Sequence, residues 1–285
     1  MLIFGTIGLF IKKIPLATGE LALYRAVFAA ILIFIYLIVT KQKIPFKSIK
    51  KEIILLLLSG IAMAFNWILL FEAYKYTTVS VATLSYYFAP VIVTIASPFL
   101  FKEKLTAKQL ICFIMSTIGI ILITGIGDTS SGSNHLLGIL CGLGAACLYA
   151  TVILFNKFIK GVEGIHRTFL QFLAAIIVLI PYVALTSGFN IHTLQIKELG
   201  YLLIVGFIHT GITYCLYFSS LKEISGQKVA ILSYIDPLVA VLISVTILTE
   251  PFKPIQAVGG LLIIGFTLWN EISSNKKKNK KEEQK

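Results

Sequence analysis

The heptapeptide LSYYFAP at residues 84–90 returns, one residue shorter, as LSYIDP at residues 232–237. Pro237 lies 147 positions after Pro90, and the same interval joins Tyr87 to Tyr234, Phe71 to Phe218 and Glu103 to Glu250. In each copy the glutamate follows the proline by 13 residues. Chance could supply any one of these pairs. Their common frame points to a duplicated unit.

The surroundings of both copies are apolar. Of 285 residues, 57% are hydrophobic and 13% charged, whereas soluble chains average about 45–50% and about 25%. One core cannot hide that excess, so lipid must solvate most of the surface. This composition excludes a soluble enzyme, a disordered chain and a repeat solenoid. The net charge is +12, but the lysines lie between apolar blocks and in the tail. They form no basic stripe with interleaved aromatics, so no nucleic-acid partner is expected. Cys112, Cys141, Cys147 and Cys215 lie inside apolar runs and read as packing residues.

Crossing a hydrocarbon layer takes about 20 apolar residues. Ten segments qualify or nearly so: 1–11, 20–39, 53–73, 78–101, 106–125, 136–156, 166–187, 198–219, 227–249 and 255–270. Backbone groups in lipid must be satisfied within each segment, so these are helices. The expected fold is therefore an all-α membrane protein. The two related strings fall in the fourth and ninth spans. An odd offset of five reverses direction, which predicts two inverted five-helix repeats, residues 1–125 and 136–270, with a basic cytoplasmic tail at 271–285. Inverted repeats place a site near the midplane at their interface, and rocking of one against the other gives alternating access.

Lysine placement agrees with ten spans. With the C-terminus inside, the inner connections hold 18 lysines and the outer ones five: Lys12, Lys13, Lys75, Lys197 and Lys253. The expected location is the plasma (inner) membrane, with a cytoplasmic C-terminus whose lysines also touch anionic lipid. The first segment is short, reaching only ~16 Å as a helix. Phe10-Ile11-Lys12 aligns with Phe155-Asn156-Lys157 at an offset of 145. The counterpart of Leu136 would then precede Met1. This predicts that roughly ten residues of the first helix are missing, through start-codon choice or truncation.

The chain resembles a ten-helix member of the drug/metabolite transporter superfamily, EamA family. The resemblance is carried by the paired proline-to-glutamate frames, by FNWILLFEAYKYTTVSVATLSYY (65–87), by HTGITYCLYFSSLKEISGQKVAILSYIDP (209–237) and by the Arg25 segment. It implies a basket of inverted repeats around a central cavity lined by the third, fourth, eighth and ninth helices. It also implies both termini in the cytoplasm and export of amino acids or related metabolites.

Asp236 is the sharpest candidate for a solute or proton site. It lies midway along the ninth span, where a carboxylate is costly unless it faces a wet cavity or a partner. Pro90 and Pro237 should free the carbonyls of Tyr86 and Ser233, four residues earlier. Those carbonyls either ligate a cationic group or mark a simple kink. Asn66 and Trp67 sit mid-span in the third helix. Asn66 reads equally as interhelical glue or as a solute contact, and Trp67 as a cavity wall or a packing residue. His209 reads as a proton relay or as a hydrogen-bonded structural histidine. Tyr87, Tyr214 and Tyr234 complete the candidate solute site. Arg25 could snorkel, pair with Glu72 or hold a carboxylate, and structural pairing with Glu72 is the favoured reading. Glu103 and Glu250, at span ends beside lysines, read as anchors or gates. The glycines Gly138, Gly142 and Gly144 predict close helix packing.

Together these readings predict a secondary transporter for a small polar or zwitterionic solute, such as an amino acid, and not an enzyme. No cofactor is expected, and protons are the candidate coupling ion. The alternatives within transport are a nucleotide-sugar carrier, which would need several deep basic residues, and a drug or cation carrier. Outside transport the alternative is a non-transporting membrane protein.

Overall fold

The computed structural model describes residues 2–42, 46–101, 106–124, 133–162, 164–220, 232 and 234–282, with backbone only at 46–49, 98, 101, 124, 133, 218–220, 271 and 273–282. Among the described residues the longer helices are numbered α1 to α10 in chain order. They are α1 (Leu2–Ile11), α2 (Thr18–Val39), α3 (Phe46–Tyr76), α4 (Val79–Tyr86 and Ala89–Phe101) and α5 (Ala107–Thr124). Then come α6 (Ser133–Phe158), α7 (Gly164–Thr186), α8 (Ile196–Leu203 through Ser220), α9 (Ile235–Thr246) and α10 (Pro254–Glu282). Six stretches, in α2, α3, α4, α6, α7 and α8, are long and apolar enough to cross a membrane; α1, α5, α9 and α10 carry shorter apolar stretches. The protein is an all-α membrane protein. Glu103 and Ser233, both singled out in the sequence, lie outside the described residues.

Local chemistry sets several boundaries. Thr78 caps α4, its hydroxyl accepting from Val81 N at 3.2 Å. Glu198 closes a capping box onto Gln195 N at 2.9 Å at the start of α8. Both prolines of the repeat stand in the first turn of a helical segment: Pro90 second in Ala89–Phe101, Pro237 third in Ile235–Thr246. The expected mid-helix kink is therefore replaced by a break at Tyr87–Phe88 in α4, followed by a new start. A proline N–H is not needed in a first turn, so the break is the cheaper solution.

Helices of residues 1–125 and 136–270 pack through one another. Three pairs five apart in chain order meet and run antiparallel. In α5 and α10, Lys108 reaches Trp269 while Gln256 reaches Ile123. In α4 and α9, Tyr87 reaches Asp236 while Ser80 reaches Ser244. In α2 and α7, Phe34 stacks on Phe169 while Gly19 abuts Tyr182. Neighbours that are not counterparts follow the same exchange. α4 packs on α6 as α9 packs on α1, both pairs parallel; α3 on α7 matches α8 on α2. The α5–α10 crossing is reciprocal: a Cβ on Gly119 would stand 2.6 Å from the Gly259 carbonyl, and one on Gly259 would stand 2.5 Å from that of Gly119. Gly138 and Gly142 permit the α4–α6 approach expected of them, since added Cβ atoms would meet Thr77 at 2.8 Å and Ser85 at 2.9 Å.

Candidate functional site

A cavity of about 330 Å³ lies at the centre, lined by residues of α1, α2, α3, α4, α6, α8, α9 and the turn before α9. Its walls are aromatic. Tyr86 stacks on Tyr149 with centroids 5.3 Å apart, and Tyr87 meets its counterpart Tyr234 at 6.4 Å. Trp67 and Tyr214 both contact Phe172 edge-on, at 5.2 and 5.6 Å. Phe4, Tyr74 and Tyr217 complete the ring.

Two charged groups reach this space. Arg25, 5% exposed, lies on α2 with its guanidinium carbon 4.7 Å from the Trp67 centroid. Its Nε donates to Thr210 Oγ1 at 2.7 Å, and Thr210 in turn donates to Val205 O at 2.9 Å. The five-residue step of that second bond reflects the π-helix Ile204–Ile212, the wide stretch of α8. π turns recur at functional sites because they re-aim side chains. Asp236 starts α9, and its Oδ2 accepts from the Tyr87 hydroxyl at 2.7 Å. Among the described residues, Arg25 and Asp236 form no ion pair with each other or with any other group. The cavity therefore presents one cation and one anion among hydroxyls and rings.

The structure brings most of the sequence candidates together. Asn66, Trp67, Tyr86, Tyr87, Tyr214, Tyr234, Asp236 and Pro90 all line the cavity. Asn66 is also the glue it could have been: it donates to Ala145 O on α6 at 2.6 Å.

The pairing favoured for Arg25 is corrected, and His209 takes its structural reading. His209 does not line the cavity. It is 2% exposed, its Nε2 lies 2.7 Å from Thr6 Oγ1 and its Nδ1 lies 3.2 Å from Ile204 O. The π turn points it at α1, and Phe10 packs against its ring at 5.0 Å. Arg25 does not pair with Glu72, because Thr18 holds Glu72 at 2.6 Å and Lys75 at 3.5 Å. Nor does it snorkel. Glu250, read as an anchor or gate, engages Lys12 on α1 and accepts from Val79 N at 2.7 Å.

Sequence reading missed Tyr74, Thr83 and Tyr149 as cavity residues. Tyr149 had a signal, since it is a mid-span tyrosine four residues before Ile153, which also lines the cavity. Tyr74 and Thr83 had none, being close to span ends.

The family description "EamA-like transporter family" matches residues 1–125 and 136–270. The chain is 32% identical over 257 residues to the uncharacterized transporter YxxF of Bacillus subtilis, covering 89% of this chain and 80% of that protein. It is 27% identical over 172 residues to human solute carrier family 35 member G1, covering 56% of this chain and 47% of that one. A solved structure described only as "Crystal structure of protein" superposes with a TM-score of 0.64 at 16% identity, over 93% of this chain and 92% of its own, a likeness of fold alone.

Proposed function

Because the chain belongs to the EamA-like transporter family, we propose that it is a secondary transporter moving a small zwitterionic metabolite, such as an amino acid or a related compound, by alternating access. The observation that carries this is the cavity's pair of opposite charges: Arg25 for a carboxylate, Asp236 for an ammonium, with aromatic walls between. A volume of about 330 Å³ suits a solute of that size. The two halves are inverted repeats; the antiparallel counterpart pairs and the reciprocal Gly119–Gly259 crossing support this. Such an arrangement places the site at the repeat interface.

The chain sits in the plasma (inner) membrane with its C-terminus cytoplasmic, the orientation favoured by the lysine bias, and transport runs outward as an export. Protons are the coupling ion, carried by Asp236. A nucleotide-sugar carrier is disfavoured because, among the described residues, Arg25 is the one basic residue lining the cavity. A drug or cation carrier would use Asp236 and the rings but leave Arg25 without a role.

The test is a panel of amino acids, their amines and their deaminated acids, scored by thermal stabilisation of the detergent-solubilised protein and by flux into proteoliposomes. The reading expects stabilisation and flux for zwitterions above either partial analogue. Equal stabilisation by amines alone would replace it with a cation carrier.

A further inference from the structure

We propose that Lys12, Ser244 and Glu250 form a latch that seals the cavity at one end and opens once in each transport cycle, an inference that rests on reading the cavity as a solute site. Thr249, at the end of α9, takes a left-handed backbone with φ 51°, uncommon for a β-branched residue. The turn delivers Glu250 into a three-way junction. Its carboxylate pairs with Lys12 at the end of α1, accepts from Val79 N at the start of α4 at 2.7 Å, and accepts from Ser244 Oγ on α9 at 2.5 Å. Lys12 also donates to Thr77 O at 3.2 Å. One carboxylate thus ties α1 and α4 of the first half to α9 of the second.

The junction borders the cavity: Val79, which donates to Glu250, stands one helical turn before the lining residue Thr83 on α4. On that side Leu70, Tyr74 and Thr83 are 7%, 4% and 5% exposed, and the Tyr74 hydroxyl lies 3.4 Å from Thr83 Oγ1. Toward the other end Tyr149, which also lines the cavity, is 38% exposed. A second space of about 490 Å³ is lined by Lys12, Lys75 and Tyr74 among others. The two spaces share Tyr74, and Lys12 lines the second, so the proposed path between them runs past Tyr74 and the latch. Two of the three latch positions recur, each in the other half. Lys157 aligns with Lys12 and Ser97 with Ser244. At the opposite end of α4 and α6, Lys157 Nζ donates to Ser97 Oγ at 3.1 Å. A carrier with alternating access needs a seal at each end, released in turn.

The test uses sided labelling. Leu70→Cys is placed in a chain whose four native cysteines are replaced, and a membrane-impermeant maleimide is applied to intact cells from the Lys12 side. Glu250→Gln and Lys12→Met should each speed labelling about tenfold, roughly the effect of 1.4 kcal/mol on the closed-to-open ratio. The double variant should add nothing further, because both changes break one pair. Ser244→Ala, a smaller change, should speed it about threefold and serves if the charge variants fail to fold. Unchanged labelling in the variants, or singles that multiply in the double, would overturn the latch. Faster labelling in a protein that moves none of the panel solutes would keep the latch and overturn the transport reading. Impaired flux with unchanged labelling would do the reverse.

Discussion

Replacing Arg25 by glutamine should weaken binding of a zwitterionic solute while leaving its decarboxylated amine almost unaffected. The guanidinium is 5% exposed, is held by Thr210 at 2.7 Å and lies 4.7 Å from the centre of the Trp67 ring. Those contacts, with a second ring, Phe71, at 5.6 Å, use Nε and ring faces; among the described residues no partner takes the terminal N–H groups. A hydrogen bond to a charged partner contributes about 1.5–3 kcal/mol, or roughly ten- to 150-fold in affinity. Glutamine keeps a donor but not the charge, so the lower half of that range is the expectation. The fold should survive. Thr210 keeps its bond to Val205 O. Loss of the cation–ring contact, about 2 kcal/mol, is offset by relief of a buried charge. The assay is calorimetric titration of the variant with an amino acid returned by the panel and with its matching amine, beside a thermal melt. An equal loss for both ligands would mean that Arg25 only shapes the cavity. No loss for either would remove it from solute recognition, and the zwitterion reading with it.

Asp236→Asn should abolish the dependence of proteoliposome flux on a pH gradient; dependence that persists would take the coupling role from Asp236. Tyr87→Phe removes the 2.7 Å hydrogen bond to that carboxylate and should weaken amine binding about three- to tenfold in the same titration, within the range for one hydrogen bond. Gly119→Val and Gly259→Val should each destabilise by ~1–3 kcal/mol through overpacking, since each Cβ would meet a backbone oxygen within 2.6 Å. Gly265→Ala, with nothing within 4 Å of its Cβ, should be neutral or slightly stabilising in the same melts. Cysteines placed at Lys13 and Lys160 should react from opposite faces of intact cells, and labelling of both from one face would refute the assigned orientation.

The architecture was legible because lipid imposes strict rules on a chain. Apolar length marks the spans, and the Pro90–Glu103 and Pro237–Glu250 frames point to the proposed duplication. The glycines of α6 announced a close approach that Thr77 and Ser85 complete. What sequence could not supply was rotation about each helix axis. Pro90 and Pro237 were expected inside continuous helices; each instead begins one, because the chain before Pro90 can break at Tyr87–Phe88 and satisfy its backbone there, with Phe88 N donating to Ser85 O at 3.2 Å. The same ignorance explains His209. Periodicity alone did not fix which way it faces; within the π stretch His209 turns to Thr6 and Thr210 to Arg25.

That π stretch decides what the cavity can recognise. With α-helical spacing throughout α8, the neighbour of Arg25 would differ. Thr18 and Lys75 occupy Glu72, the partner that sequence favoured, and Thr210 fixes Arg25 against Trp67. A basic residue that pairs with an acid is spent structurally. One anchored by a neutral hydroxyl keeps its charge available in a space where water is scarce, and there an incoming carboxylate gains more from it than it would in solution. Asp236 is treated alike, anchored by the neutral Tyr87 hydroxyl. The chain has thus kept two opposite charges apart in one aromatic chamber. Each is costly to bury and would be relieved by a salt bridge, and a ligand bearing both complementary groups compensates them together.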